Sequence, residues 1–130
     1  MTAPAKVLVV DDEPMVLSAI ELFLGLETSY DVVSFTCPFA ALSYLDEHEV
    51  DAVVCDLTMR RMTGEEFVSQ VRRRNASLPC VFLTGIVDEA RTSAGRACKG
   101  LFGFLRKPWC NDELRHVLER AVAKHRGTLQ

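Results

Sequence analysis

Five short apolar runs rich in β-branched or aromatic residues recur along the chain: Val7 to Val10, Val32 to Phe35, Ala52 to Cys55, Cys80 to Leu83 and Leu101 to Leu105. Continuous runs of this length suit strands buried on both faces rather than strands with one wet side. Segments with helical spacing lie between and after them. The clearest are Val16, Ala19, Ile20, Phe23, Leu24 and Leu114, Val117, Leu118, Ala121, Val122, each repeating as i, i+3, i+4, i+7, i+8. Strict alternation of strand and helix, five of each, predicts an α/β fold: a single doubly wound parallel sheet with helices on both faces.

Local signals agree with that reading. Pro14 fits a first helical turn, Thr63 with Glu66 reads as a capping box, Asn111 is placed to cap the last helix and Gly127 to end it. The segment from Asp88 to Lys99 is the weakest helix, because its inward candidates are only Ala90, Ala94 and Ala97 and it contains Gly95. The run Arg72 to Arg74 closes the third helix, where cations favour the carboxyl end of the dipole.

A chain of 130 residues is long enough for one compact core and too short for two ordinary domains. A formal charge of −3 supplies no basic field, so direct nucleic-acid contact is not expected. The five cysteines are odd in number and lack a CxxC pair, which fits reduced, mostly buried thiols. His48, His116 and His125 have no metal-ligand spacing and read as solvated. With no span of about 20 apolar residues and no secretion signal, a soluble cytoplasmic protein without membrane contact is expected.

In open parallel sheets, sites form beyond the carboxyl ends of the strands. Here the first run ends at Asp11 and Asp12, the third at Asp56, the fourth at Thr84, and the fifth leads into Lys107 and Pro108. Taken singly, each Asp is an ordinary cap or turn residue, Thr84 before Gly85 a turn residue, and Lys107 a solvated cation. Taken together, they place three carboxylates, a hydroxyl and an ammonium on one rim. Such carboxylates repel one another unless one keeps a proton or a hard divalent cation intervenes. Mg2+ takes a few carboxylates while keeping waters and phosphate oxygens in its shell, which points to phosphoryl chemistry.

The stretches KVLVVDDEP, DLTMRRMTG beginning at Asp56, VFLTG ending in Thr84 and Gly85, and FLRKP with Lys107 resemble, in order, the signature of response-regulator receiver domains. The resemblance covers residues 6–125, leaving short tails at 1–5 and 126–130. It implies a flavodoxin-like strand order 2-1-3-4-5 and makes Asp56 the phosphoacceptor. Asp11, Asp12, Asp56 and the Thr58 backbone carbonyl would hold Mg2+, or Mn2+ in its place. Lys107 would neutralise phosphoryl oxygens, while Thr84 would bond one of them and let Phe104 rotate beside the fifth strand. The output face would then be the surface formed by the 88–99 segment, the fifth strand and the last helix, with Arg91, Arg96 and Lys99 contributing. A sensor histidine kinase or phosphotransfer protein is the implied donor. A downstream target or output domain is the implied reader, with dimerisation on phosphorylation a further implied possibility.

Some positions depart from the family pattern. Arg60 stands where proline is usual, placing a positive charge near the site, and Trp109 stands where Phe is more frequent. Thr58 and Ile86 offer neither acid nor amide to orient water, so slow autodephosphorylation is expected. A cis Lys107–Pro108 peptide is also implied. Phe104 has a plainer reading as an immobile core aromatic. Three other functions compete with the switch: an aspartyl-phosphate phosphohydrolase, a flavin carrier and an unphosphorylated scaffold. Thr58 stands where such hydrolases carry a second Asp, and Asp11-Asp12-Glu13 would repel a flavin phosphate.

Overall fold

The computed structural model describes residues 3–85, 98 and 101–127. The described residues form five strands and four helices, a helix following every strand but the fourth. They are β1 (Lys6–Val10), α1 (Pro14–Glu27), β2 (Asp31–Phe35), α2 (Pro38–Glu47), β3 (Ala52–Asp56), α3 (Gly64–Arg74), β4 (Cys80–Thr84), β5 (Leu101–Arg106) and α4 (Asn111–His125). The helix expected over 88–99 lies, Cys98 apart, outside the described residues, as do Ile86, Arg91, Arg96 and Lys99. Every strand pair is parallel and the order is β2-β1-β3-β4-β5.

Alternate residues of each central strand feed two cores. Val7, Val9, Ala52, Val54, Val81 and Leu83 pack with Leu17, Ile20 and Leu24 of α1 and with Leu114, Leu118 and Ala121 of α4. Leu8, Val10, Val53, Cys55, Cys80 and Phe82 pack on the other face with Ala41 and Leu42 of α2 and Phe67, Val68 and Val71 of α3. The period of two along a strand makes this division, so β1, β3 and β4 are apolar on both sides, as expected. The edge strands are not: β2 and β5 are mostly half-exposed, because each has a neighbour on one side only. A register shift between Cys80 and Val81 sets Gly103 against Val81.

Helix starts follow local chemistry. Pro14 and Pro38 occupy the first turns of α1 and α2. The Thr63 hydroxyl accepts from the Glu66 N–H at 3.1 Å and opens α3, while Arg72 and Arg74 donate to the Asn75 and Gln70 carbonyls near its end. Gly127, at φ 75°, closes α4.

Several expectations are corrected. In α1 the inward face carries Leu17 while Ala19 is exposed, so the buried stripe is rotated from the one predicted. Cys110, not Asn111, is the cap of α4, and the Asn111 side chain instead accepts from the Trp109 indole at 3.2 Å. Only Cys55 and Cys80 are buried, although all five cysteines are free. His48 and His116 are exposed, as expected, His48 stacking on Tyr44 with centroids 4.1 Å apart, whereas His125 is half-buried with its Nδ1 3.2 Å from Asp51. No helix among the described residues is long and apolar enough to cross a membrane.

Candidate functional site

The carboxyl ends of β1, β3, β4 and β5 meet on one rim and bring the sequence-predicted groups together. Asp11 follows β1 and is fully buried, and Asp56 and Thr84, which end β3 and β4, are nearly so. Fully buried Asp is rare without a partner. Lys107 supplies it, reaching in from beyond β5: its Nζ donates to Asp11 Oδ2 at 2.8 Å and lies 3.5 Å from Asp56 Oδ2 and 3.7 Å from Glu13 Oε1. A hydrogen bond from Lys107 N to Thr84 O at 2.6 Å fixes where that side chain starts. The Lys107–Pro108 peptide is cis.

Asp12, on the outer rim, accepts from the Arg60 backbone N–H at 3.1 Å, and Arg60 Nε lies 3.4 Å from the same oxygen, Oδ2. Asp56 Oδ1 faces the Thr58 N–H at 3.4 Å, and Asp11 Oδ1 accepts from Glu13 N–H at 2.9 Å. A cleft of about 620 Å³ opens beside Asp12, walled in part by Pro14, Cys37, Met59, Arg60 and Arg61.

The electrostatics match the geometry. Burial, then repulsion from Asp11, pushes the Asp56 carboxyl up to about 6, against the pull of Lys107. Burial likewise raises Asp11 despite its bond to Lys107. For Lys107, burial acts to lower the value, but the bond to Asp11 and the charges of Asp56, Asp11 and Glu13 outweigh it and the net direction is upward. The cluster therefore carries more negative charge than its cations neutralise.

Asp11, Asp12, Glu13 and Asp56 each offer an oxygen within 4.8 Å of one another. All are hard oxygen donors, and Asp56 holds its charge with difficulty; both features fit a hard divalent cation. Glu13 is the member the strand-end reasoning left out, although it directly follows Asp12 in sequence. Gly64 is a second omission. A Cβ there would lie 2.8 Å from Leu57 Cα and 2.9 Å from Asp56 O, so only glycine lets α3 seat against the end of β3. Phe104 packs edge-on to Phe82, ring centroids 6.4 Å apart, and is half-buried at the margin of the second core.

A doubly wound sheet of order 2-1-3-4-5 with an acidic cluster and a lysine at its carboxyl rim is the arrangement the receiver-domain resemblance implies. The family model for the response regulator receiver domain matches residues 7–119, and the chain belongs to that family. It is 31% identical to the transcriptional regulatory protein GlrR of Escherichia coli over 121 residues, 92% of this chain and 26% of that protein. It is also 31% identical to response regulator Rre1 of Synechocystis, over 98% of this chain and 56% of that one. The chain thus spans from about a quarter to just over half of these curated relatives. Among solved structures, the signal receiver domain of an HD domain-containing protein from Pseudomonas fluorescens superposes with a TM-score of 0.88 at 22% identity, covering 96% of this chain and 99% of that one. A putative response regulator from Chloroflexus aurantiacus gives 0.84 at 28%, covering 93% and 99%. The chain is a receiver domain of the two-component type, a signalling domain.

Proposed function

We propose that residues 6–125 form a phosphorylation-dependent switch in which Asp56 accepts a phosphoryl group from a phosphohistidine on a sensor histidine kinase or phosphotransfer protein. The observation that carries this is the state of Asp56: a buried carboxylate at a strand end, 3.5 Å from Lys107 and crowded by Asp11. An Asp56 oxygen attacks phosphorus in line, the P–N bond to the donor imidazole breaks, and an acyl phosphate forms. Asp11, Asp12, Asp56 and the Thr58 carbonyl would hold Mg2+ or Mn2+, with Glu13 nearby. When bound, the metal neutralises phosphoryl oxygens. Lys107 holds Asp11 in place and offers its ammonium to the same oxygens.

Thr84, buried at the end of β4, would bond a phosphoryl oxygen and draw its loop inward, and Phe104 on the neighbouring strand would rotate into the space vacated beside β5 and so alter the output face. A downstream protein or output domain reads that face, with dimerisation as one readout. Thr58 is exposed and carries neither acid nor amide, so the acyl phosphate is long-lived.

Intact-mass analysis after incubation with acetyl phosphate tests the assignment. One phosphoryl adduct is expected with Mg2+, none with chelator and none in Asp56→Asn. An adduct that survives Asp56→Asn would move the acceptor elsewhere, and no adduct even with a phosphorylated kinase would leave a scaffold.

A further inference from the structure

Asp12 differs from the other acids of the cluster in carrying a counter-ion from the phosphoacceptor's own loop. Lys107 serves Asp11, Asp56 and Glu13 from the β5 side. Arg60 serves Asp12 from the loop after β3, with its backbone N–H at 3.1 Å and its Nε at 3.4 Å both directed to Oδ2. The Arg60 side chain is 86% exposed while that of Asp12 is 19% exposed. The guanidinium therefore lies over the rim rather than within it, and solvent is open to it on leaving.

We infer that Arg60 is a displaceable internal counter-ion that competes with the divalent metal for Asp12 and so sets the metal affinity of the site. The inference rests on the metal reading proposed above. Without metal, Arg60 offsets part of the repulsion among Asp11, Asp12, Glu13 and Asp56. A divalent cation supplies the same neutralisation more strongly, so its binding must first overcome the pair. An exposed pair of this kind is weak and screened by salt, so the effect is a tuning of affinity and not a block. Arg60 and Arg61 both line the cleft beside Asp12, so open space is at hand for a displaced guanidinium.

Titration calorimetry with Mg2+ alone, at low and at physiological salt, tests this on wild type, Arg60→Ala and Arg60→Gln, and on Asp12→Asn with and without Arg60→Ala. Exposed ion pairs of this strength predict about 3- to 5-fold tighter Mg2+ binding for both Arg60 variants at low salt, shrinking as salt is raised. In the Asp12→Asn background, removing Arg60 should change affinity by less than about 2-fold, since additivity fails only between partners. Unchanged or weaker binding in both Arg60 variants overturns the inference while leaving the metal site standing. Equal tightening with and without Asp12 also overturns it, because the effect would then be a general field. Absence of Mg2+ binding in wild type and every variant overturns the metal reading and the competition with it.

Discussion

Asp56 is held in a state that works against the fold. Its folded value of about 6 lies above the ordinary 3.8, so the folded chain binds that proton more tightly than the unfolded chain does. The stability it contributes is fully present below about pH 4 and is lost as pH rises through about 6. Asp11, also raised, acts in the same direction. Metal-free protein should therefore become more resistant to urea as pH falls from 7.5 to 5. Asp56→Asn should add about 1–2 kcal/mol at pH 7.5 in chelator and flatten that slope, with a smaller gain when Mg2+ is present. Urea midpoints across pH measure both effects, and a variant no more stable than wild type would show that Lys107 already balances the charge. The carboxylate proposed as the phosphoryl acceptor is thus a cost to the resting fold.

At the scale of elements, two glycines set how closely helices approach the sheet. Gly64 N donates to Leu57 O at 2.8 Å, joining the first turn of α3 to the loop that leaves β3, and its missing side chain also spares the Phe82 ring. Gly103 does the same for α4, since a Cβ there would come within 2.5 Å of Val117. Gly64→Ala meets backbone rather than a flexible side-chain tip, so relief requires moving the helix or the strand end. A loss of about 2–3 kcal/mol is expected, as for overpacked cores. The proposed phosphorylation of Asp56 should slow as well, read from the rate of adduct formation by intact mass. A stable variant with unaltered phosphorylation would mean that α3 seats without this contact. The Thr63 cap and the acids Glu65 and Glu66 stabilise that same first turn of α3.

The whole molecule is tied at the rim opposite the site by Asp51. It accepts from Lys6 N at 2.9 Å, lies 3.2 Å from His125 Nδ1, and meets Arg126 at 3.1 and 3.2 Å, joining β1, the turn before β3 and the end of α4. Burial acts to raise its carboxyl, but the bonds from Arg126, Lys6 N–H and His125 outweigh this and lower it. The sign is opposite to that of Asp56: Asp51 contributes stability above the ordinary carboxylate range and loses it as pH falls through its depressed value. Asp51→Ala should cost about 2–3 kcal/mol, the order for hydrogen bonds to a charged group. It should also speed hydrogen exchange in the last turn of α4 more than in α3; equal exchange in both helices would place the effect elsewhere.

The architecture and the chemistry of the rim were legible in the sequence for a local reason. Strand and helix periods are written in consecutive residues, so apolar runs and 3.6-residue spacing marked β1 to β5 and α4, and the residues ending each run named Asp11, Asp12, Asp56, Thr84 and Lys107. The strand order came from family resemblance and not from periodicity, because pairing partners leave no local trace. The same limit hid the addition of Glu13, the seat made by Gly64 and the exposure of Ala19, each of which depends on where a neighbouring element lies. Lys107 meets Asp11 across 96 positions, Arg60 meets Asp12 across 48 and Arg126 meets Asp51 across 75. The sequence by itself determined which groups stand at the strand ends. Only the tertiary structure decided which of them touch, because contact follows from sheet register and helix seating, and these are settled by packing between segments distant in the chain.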